Sequence, residues 1–442
     1  MPPYRLHIEK LVMGGLGLGH LENGLVALVP HTLPGETVLV KPVRKKKSYL
    51  EARLLEVLEP SVDRETPACP FFDSCGGCNF QHVEYSAQPG LKSVILGEQL
   101  MREHLFAEEE LPTVLTSPLP SPLAFNYRQR IRLKINDNGD YGFLRHHSHK
   151  IVPVNHCLLA REEINQVLAR LDEFSSVRHL LGLSSRLELQ LSPVDKKVFL
   201  LFHFSRKPRP ADIKAAEKSA VQLDTGGIIL LVKGYGRYGP YPSHQETSTF
   251  LNLKVNVPGK KIYFHFEPGT FCQVNLAQNK RLVTLLLEWA AVEKNERVLD
   301  LFCGMGNFSL PLALAAREVV GMDLQRSAIR SARKNADRAG LDNCRFERLA
   351  AEQGAKQCLS AKENFDLILL DPPRTGCREV IPHILKINPA RIIYISCDPA
   401  TLCRDLGMLT ANGYKISRIK MVDMFPQTHH LESITLLSAE ND

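Results

Sequence analysis

The chain has 442 residues, which is too long for one ordinary domain, so we expect two or three domains with separate cores. It is 44% hydrophobic and 23% charged, and it lacks a run of roughly 18 apolar residues, so we expect no membrane span. The first residues carry no apolar signal segment, which predicts a cytoplasmic protein. A net charge of +7 favours a polyanionic partner only modestly.

The first 61 residues predict a small β-barrel. Short apolar alternations at residues 6–12, 24–29 and 36–40 are separated by glycine, a pattern typical of short strands and tight turns. A basic cluster follows the third alternation, at Lys41, Arg44, Lys45, Lys46 and Lys47. It could follow a phosphate backbone or form a solvated hairpin face, and the sequence leaves both open.

Residues 62–265 predict a mixed α+β domain with a cluster of cysteines. Cys69, Cys75 and Cys78 form C-x5-C-x2-C, and Cys157 is the best candidate for a fourth ligand, with His156 as the alternative. In a reducing compartment such cysteines suggest a metal site before disulfides. Zinc and a [4Fe-4S] cluster both fit four thiolates, and the spacing favours the cluster because zinc ribbons generally use two C-x2-C pairs.

A second feature of this middle region is an arginine-rich strand. Arg128, Arg130 and Arg132 alternate, so their side chains should share one face, as a surface that binds an RNA backbone would require. Tyr127 could stack on a base there. An exposed arginine-rich face without a ligand is the alternative.

From about residue 266 onward, buried strands alternate with helices. Strands are predicted at residues 297–302, 318–323, 365–370 and 391–396, with helices at 308–316 and 326–339. This rhythm predicts a doubly wound α/β domain. Strands at 414–422 and 433–437 should form an antiparallel edge. The predicted domains are therefore 1–61, 62–265 and 266–442, with a segment near 90–120 as a candidate addition to the third.

A glycine loop follows the first strand of this α/β domain. Gly304 and Gly306 would let a ligand approach the backbone, and Asp323 ends the next strand, where a carboxylate can accept ribose hydroxyls. The third glycine of the dinucleotide fingerprint is absent, which favours an adenosine ligand without a pyrophosphate, such as S-adenosylmethionine. Asp371 follows the fourth strand and should face the same ligand.

A cysteine and a glutamate near the end of the chain supply a nucleophile and a base. Cys397 follows the fifth strand and precedes a helix, whose dipole should favour the thiolate. Glu432 lies near the start of the last strand. Taken singly, a buried inert cysteine and a surface carboxylate are the more ordinary interpretations.

Six motifs together resemble the RNA uracil-5-methyltransferase family. They are C-x5-C-x2-C at residues 69–78, FCQVN at 271–275, DLFCGMGNF at 300–308, DPPR at 371–374, SCDPATL at 396–402, and DMFP at 423–426 with Glu432. The resemblance implies a class I (Rossmann-like) methyltransferase domain, a TRAM/OB-like barrel and a central α+β iron-sulfur domain. It departs from the family pattern at Asp323, Asp398 and Gln427, where glutamate, asparagine and histidine are frequent.

The resemblance also implies the roles of individual residues. Cys397 would be the nucleophile and Glu432 the base, and Phe271 would flank a base of the RNA. The implied contacts to S-adenosylmethionine are Gln273, Phe302, Gly304, Asn307, Asp323 and Asp371, and the implied ligands of a [4Fe-4S] cluster are Cys69, Cys75, Cys78 and Cys157.

The barrel and the four cysteines imply the branch of the family that acts on 23S rRNA. No protein partner is implied, and we expect a monomer. Three alternatives stay open: a methyltransferase for another rRNA site or for tRNA, a non-catalytic RNA-binding protein that keeps the fold, and a nicotinamide oxidoreductase with an iron-sulfur centre.

Overall fold

The computed structural model describes residues 3–146, 148–242, 251–257 and 260–440. The small parts of the predicted domains at 1–2, 147, 243–250, 258–259 and 441–442 lie outside the described residues. Within the described ranges, every helix is too short or too polar to cross a lipid bilayer.

The N-terminal residues form a curled six-stranded sheet. Its strands are β1 (Tyr4–His7), β2 (Lys10–Val12), β3 (Leu16–His20), β4 (Val26–Pro30), β5 (Thr37–Lys45) and β6 (Tyr49–Glu59). In the order β1-β5-β6-β4-β3-β2 the two outer strands are consecutive in the chain, so the sheet curls back on itself. Leu6, Ile8, Val29, Val38 and Val40 fill the interior. The expected small barrel is confirmed.

Residues 88–119 precede the middle sheet in the chain but pack on the C-terminal sheet. Helices α1 (Gln88–Arg102) and α2 (Leu111–Val114) lead into β7 (Leu115–Leu119), which pairs in parallel with a strand some 300 residues later. The contacts of α1 with β7 and with that strand place residues 88–119 against the C-terminal sheet.

The middle region is built on a seven-stranded sheet. Its strands are β8 (Arg130–Ile135), β9 (Tyr141–Leu144), β10 (Ile151–Pro153), β11 (Ser184–Ser192), β12 (Lys197–Phe204), β13 (Gly227–Val232) and β14 (Gly236–Tyr241). Helices α3 (Glu162–Ala169), α4 (Ser175–Leu181) and α5 (Pro210–Gln222) pack on it. The hairpin β15 (Leu251–Val257) and β16 (Lys260–Phe266) joins this sheet to the C-terminal region through one shared core.

The C-terminal region is a doubly wound α/β sheet, as predicted. Its strands are β17 (Arg297–Asp300), β18 (Glu318–Met322), β19 (Cys344–Glu347), β20 (Leu367–Leu370), β21 (Arg391–Ser396), β22 (Tyr414–Val422) and β23 (Glu432–Ala439). Its helices are α6 (Leu276–Ala290), α7 (Ser309–Ala313), α8 (Arg326–Ala339), α9 (Ala351–Ser360), α10 (Ile381–Ile387) and α11 (Pro399–Thr410).

The strand order of this sheet is β19-β18-β17-β20-β21-β23-β22-β7. The strands β17 to β21 are parallel, and β23 is antiparallel to both β21 and β22. The antiparallel pair was predicted, but its position at the edge was wrong because β7 covers β22. A partner so distant in sequence leaves no local signal.

Candidate active site

The carboxyl ends of the parallel strands gather the predicted site residues at one edge of the sheet. Asp300 ends β17, Asp323 directly follows β18, Asp371 directly follows β20, and Cys397 directly follows β21. In an open parallel sheet, ligands bind at this edge, in the crevice where the strand order reverses. The reversal lies between β17 and β20 here.

The glycine loop after β17 has backbone angles that favour glycine. Gly304 has φ +54° and Gly306 has φ +90°, and a Cβ added at Gly306 would overlap the side chain of Leu310. A Cβ at Gly304 would meet only open space. Gly304 therefore borders the space that a ligand would enter, whereas Gly306 is needed for packing.

Asp323 faces this loop. The Gly304 amide donates to its Oδ2 at 3.1 Å, and the Gln325 amide donates to its Oδ1 at 2.7 Å. The shorter aspartate thus reaches the glycine loop, although the family commonly has glutamate at this position. Its carboxylate is held at the second strand's end, where a ribose contact is predicted.

Two further carboxyl groups at this edge, Asp300 and Asp371, have raised pKa values. Burial raises the pKa of Asp300 to about 7, opposed by Ser309 Oγ, which donates to Asp300 Oδ2 at 2.6 Å. Burial, followed by the charge of Asp300, also raises the pKa of Asp371 to about 7. A cationic ligand would stabilise both carboxylates, so the site suits a ligand that carries positive charge.

Cys397 and Glu432 are brought together by the pairing of β21 with β23. Ser396 lies opposite Ser433 at the end of this antiparallel pair, and Cys397 and Glu432 are the next residues beyond it. Burial and then the charge of Glu432 raise the pKa of Cys397 to about 11. Burial, followed by Asp371, raises the pKa of Glu432 well above its usual range.

The dipole of helix α11, which we expect to favour the Cys397 thiolate, is opposed by burial and by the charge of Glu432. Helix α11 does begin nearby, and Asp398 caps it by accepting the Thr401 amide at 3.0 Å. Burial and the adjacent Glu432 outweigh the dipole, which is worth at most about 2 kcal/mol.

Arg374 is the cation of this site, and sequence analysis assigned it no role. Its charge lowers the pKa of both Cys397 and Glu432, opposing the effect of burial. Its Nη2 also lies 3.4 Å from Nδ1 of His430. The position of Arg374, three residues after Asp371 in the DPPR motif, was the available signal.

The other predicted cofactor residues line the neighbouring surface. Asn307 exchanges side-chain hydrogen bonds with Asn279 of α6 at 2.8 and 3.0 Å, and the Phe302 amide donates to Asp300 Oδ1 at 3.3 Å. Gln273 is partly buried, and Phe271 is 60% exposed. Their roles toward a ligand stay predictions.

The four cysteines named above line a single cavity of about 380 Å³ in the middle region. Burial raises the pKa of Cys78 to about 12, and Cys75 and Cys157 also have raised pKa values because they are buried. Among the described residues, no three His, Cys, Asp or Glu side chains are arranged to hold a metal ion. The cysteines therefore share a cavity, and the cluster stays a prediction.

Two buried donors also face this cavity. Gln81 and Arg128 line the cavity. Arg128 Nε is buried without a hydrogen-bond partner within the described part of the chain, and a side-chain hydrogen bond with Gln81 opposes the rise in the pKa of Cys78. Buried donors of this kind usually have an acceptor. Together with four thiols, they suit an anionic, sulfur-rich group.

The three arginines of the predicted RNA-facing strand share one face, as expected, but most of that face is not exposed. Arg130 is 8% exposed and donates to Glu188 on the neighbouring strand β11, and all three arginines line the cysteine cavity. Tyr127 is 1% exposed, so it cannot stack on a base here. Of the three arginines, Arg132 is the exposed one, at 58% of its side chain. No local pattern pointed to Glu188, which lies 58 residues from Arg130.

Comparisons with known proteins assign both ends of the chain. A family model described as tRNA (Uracil-5-)-methyltransferase matches residues 119–440, and a TRAM domain model matches residues 4–55. The 23S rRNA (uracil(1939)-C(5))-methyltransferase RlmD of Shewanella sp. (strain ANA-3) is 34% identical over 95% of this chain and 93% of its own length. The protein of the same name from Aeromonas salmonicida (strain A449) is 35% identical over 97% and 95%.

A solved structure is similar over nearly the whole chain. It is the Pyrococcus abyssi tRNA (uracil-54, C5)-methyltransferase in complex with S-adenosyl-L-homocysteine, which is 25% identical and has a TM-score of 0.71. The alignment covers 98% of this chain and 100% of that one. The similarity therefore extends beyond the methyltransferase sheet to the regions that precede it.

Proposed function

The chain belongs to the tRNA (uracil-5-)-methyltransferase family, and from this premise we propose that it transfers a methyl group from S-adenosylmethionine to C5 of one uridine in 23S rRNA. The rRNA target is favoured over tRNA because the full-length relatives at 34–35% identity carry that name. Such a substrate implies a cytoplasmic enzyme.

The proposed reaction begins with Cys397, because C5 of uracil is a poor nucleophile. The thiolate sulfur forms a bond to C6, and the resulting enolate attacks the methyl carbon from C5. The bond from that carbon to the sulfonium sulfur breaks, which releases S-adenosylhomocysteine. Glu432 then removes the C5 proton, the C6–sulfur bond breaks, and the thiolate of Cys397 is regenerated.

The single observation that carries this proposal is the β21–β23 register, which ends with Ser396 opposite Ser433, so that the adjoining Cys397 and Glu432 reach the edge where Asp371 also lies. The charge of Glu432 raises the pKa of Cys397. Both must lose a proton to react, and Arg374 favours the charged form of each.

The proposed cofactor site combines a cationic co-substrate with the two carboxyl groups whose pKa burial has raised. The sulfonium and ammonium groups of S-adenosylmethionine would be stabilised near Asp371, and its ribose near Asp323. Gln273, Phe302, Gly304 and Asn307 are proposed to complete the contacts. The solved relative in complex with S-adenosyl-L-homocysteine supports this type of ligand.

Mapping 5-methyluridine by mass spectrometry in rRNA from cells that lack this protein tests the target. We expect the modification to disappear at one uridine of 23S rRNA and to return when the wild-type protein is supplied. An unchanged map would contradict the proposed substrate, and a loss confined to tRNA would move the proposal to that substrate class.

Variants of the two reacting residues test the mechanism. Cys397→Ala should abolish methyl transfer to 23S rRNA transcripts, because no other proposed group adds to C6. Glu432→Gln should transfer the methyl group but remain covalently bound to RNA, because the C5 proton cannot leave. The adduct would appear as an SDS-stable band that carries the labelled methyl group, and its absence would exclude this mechanism.

We further propose that Cys69, Cys75, Cys78 and Cys157 hold a [4Fe-4S] cluster. The donor set supports this, since four thiols, Gln81 and Arg128 line one cavity. When bound, such a cluster would crosslink the segment that follows the barrel to the middle region. The methyl transfer itself requires no electron, so its role is structural.

Metal content decides between the two candidate groups. Protein purified without oxygen should contain about four iron atoms per chain and absorb broadly near 400 nm, as [4Fe-4S] proteins do. A colourless protein with one zinc per chain would contradict the cluster and indicate a zinc site.

A further inference from the structure

The loop of residues 423–431 joins β22 to β23 and ends immediately before Glu432. Its backbone is fixed by side chains from a distant part of the chain, residues 79–92, and by Tyr127. The Tyr127 hydroxyl, for example, donates to the carbonyl of Pro426 at 3.0 Å. A loop held at so many points has little freedom to move the first residue of the strand that follows it.

Gln88 makes the most specific of these contacts. Its amide pairs with Gln427 in two directions, because Gln88 Oε1 accepts from the Gln427 backbone amide at 2.8 Å and Gln88 Nε2 donates to Gln427 Oε1 at 2.9 Å. Both residues are fully buried. Gln427 has φ +67°, an angle that residues other than glycine adopt rarely, so the amide pair holds the backbone in an uncommon conformation.

Lys92, one turn further along α1, fixes the start of the loop. Its Nζ donates to Asp423 Oδ1 at 2.7 Å and to the carbonyl of Phe425 at 3.0 Å. The Lys92 and Asp423 side chains are both completely buried. A buried charge of this kind requires its partner, so α1 and the loop must stay in register.

Asn79 fixes the end of the loop and connects it to the cysteine cavity. Its Oδ1 accepts from the His429 amide at 2.8 Å, and its backbone amide donates to the Gln427 carbonyl at 3.2 Å. Asn79 directly follows Cys78. The segment that holds the loop therefore starts at a cysteine of the cavity.

We propose that Asn79, Gln88 and Lys92 form a polar clamp that positions Glu432 for removal of the C5 proton. The clamp acts through the 423–431 loop and touches neither reacting group, so its members are positioning residues. This inference rests on the proposed function, because it assigns the clamp to one step of that reaction.

The topology explains why one step should depend on the clamp more than the others. Cys397 follows β21, and the glycine loop and Asp371 follow β17 and β20. The clamp hydrogen bonds described above reach the 423–431 loop instead. Glu432, in contrast, is the first residue after the clamped loop. Weakening the clamp should therefore displace the base while addition and methyl transfer continue.

The experiment compares the fate of the RNA adduct in clamp variants. Gln88→Met removes the amide pair at nearly constant volume, and Asn79→Ala removes the bond to His429 at a partly exposed position. Both should release methylated RNA at least about tenfold more slowly, because small displacements of a catalytic group are costly. A methylated, SDS-stable adduct on 23S rRNA transcripts should accumulate, with an unchanged Kd for S-adenosylmethionine.

Two controls make the result decisive. Gln99→Met lies on the same helix but removes an amide that bonds Glu103, so it should accumulate no adduct. Glu432→Gln should trap RNA fully, and its failure to do so would refute the proposed reaction itself. If Glu432→Gln traps RNA while both clamp variants slow all steps equally, or behave like wild type, the clamp inference alone is wrong. Should Gln88→Met not fold, Asn79→Ala distinguishes the same outcomes.

Discussion

The carboxyl edge of the C-terminal sheet and the cavity of the middle region both contain partly buried cysteines, and burial raises their pKa values similarly. The pKa is about 11 for Cys397 at the edge and about 12 for Cys78 in the cavity. Their neighbours differ, since Cys397 faces Glu432, Asp371 and Arg374, whereas Cys78 faces other thiols and Arg128.

Burial alone therefore does not distinguish a reactive cysteine from a cysteine that binds a metal. A carboxylate and an arginine beside a thiol allow protons to be exchanged at that edge. Several thiols that line one cavity, together with Gln81 and Arg128, instead favour a bound group that the thiols would hold jointly.

The largest effects should come from substituting one cysteine at the sheet edge and one in the cavity. Cys397→Ala should lower the rate of methyl transfer by roughly 10⁴-fold or more and leave thermal stability unchanged, because it removes the nucleophile. Cys157→Ser should lower iron content and melting temperature, with methyl transfer retained by the folded fraction. The comparison of edge and cavity fails if Cys157→Ser abolishes methyl transfer in protein that melts like wild type.

A smaller but still large effect is expected from the buried ion pair of the clamp. Lys92→Met should lower the free energy of unfolding by roughly 3–5 kcal/mol, because Asp423 would stay buried without its partner. Denaturant unfolding measures this. Lys10→Met, which breaks the exposed pair with Glu98, should cost under about 1 kcal/mol. Equal losses would show that the clamp adds no stability of its own.

The glycine loop gives an intermediate effect that separates packing from ligand approach. Gly306→Ala should lower the free energy of unfolding by roughly 1–3 kcal/mol, because its φ is +90° and the new methyl group overlaps Leu310. Gly304→Ala should cost about 1 kcal/mol but weaken binding of S-adenosylmethionine, because its Cβ would enter the ligand space. Calorimetric titration tests this, and unchanged affinity in Gly304→Ala would contradict the assigned space.

The smallest predicted effect concerns the charge of Arg374. Both Cys397 and Glu432 have raised pKa values and react without their protons, so kcat/KM should rise with pH. Arg374→Ala removes a charge that lowers both pKa values, so the rising limb should move to higher pH and activity at pH 7 should fall. Arg378→Ala, an exposed arginine of the same segment, is the control. An unchanged pH dependence of kcat/KM in Arg374→Ala would contradict the electrostatic role of Arg374.

Much of the fold could be predicted because its signals are local. The strands at 391–396 and 414–422 and the helix at 326–339 have the predicted bounds, since continuous apolar runs and a helical period ended by Gly340 are read within a few residues. The role of Arg130 could not be predicted in this way. Its partner Glu188 lies on another strand, and the sequence of neither strand indicates that the two strands pair.

The sequence by itself determined the doubly wound sheet, the glycine loop and the residue types that gather at its edge, because strand ends and loops follow from local periodicity and backbone preference. Which of these residues contact one another depends on the tertiary structure. Tertiary contacts bring Cys397 near Glu432, place Arg128 at the cysteine cavity and attach the 423–431 loop to residues 79–92. The physical reason is that pairing register and burial depend on contacts between segments up to about 350 residues apart.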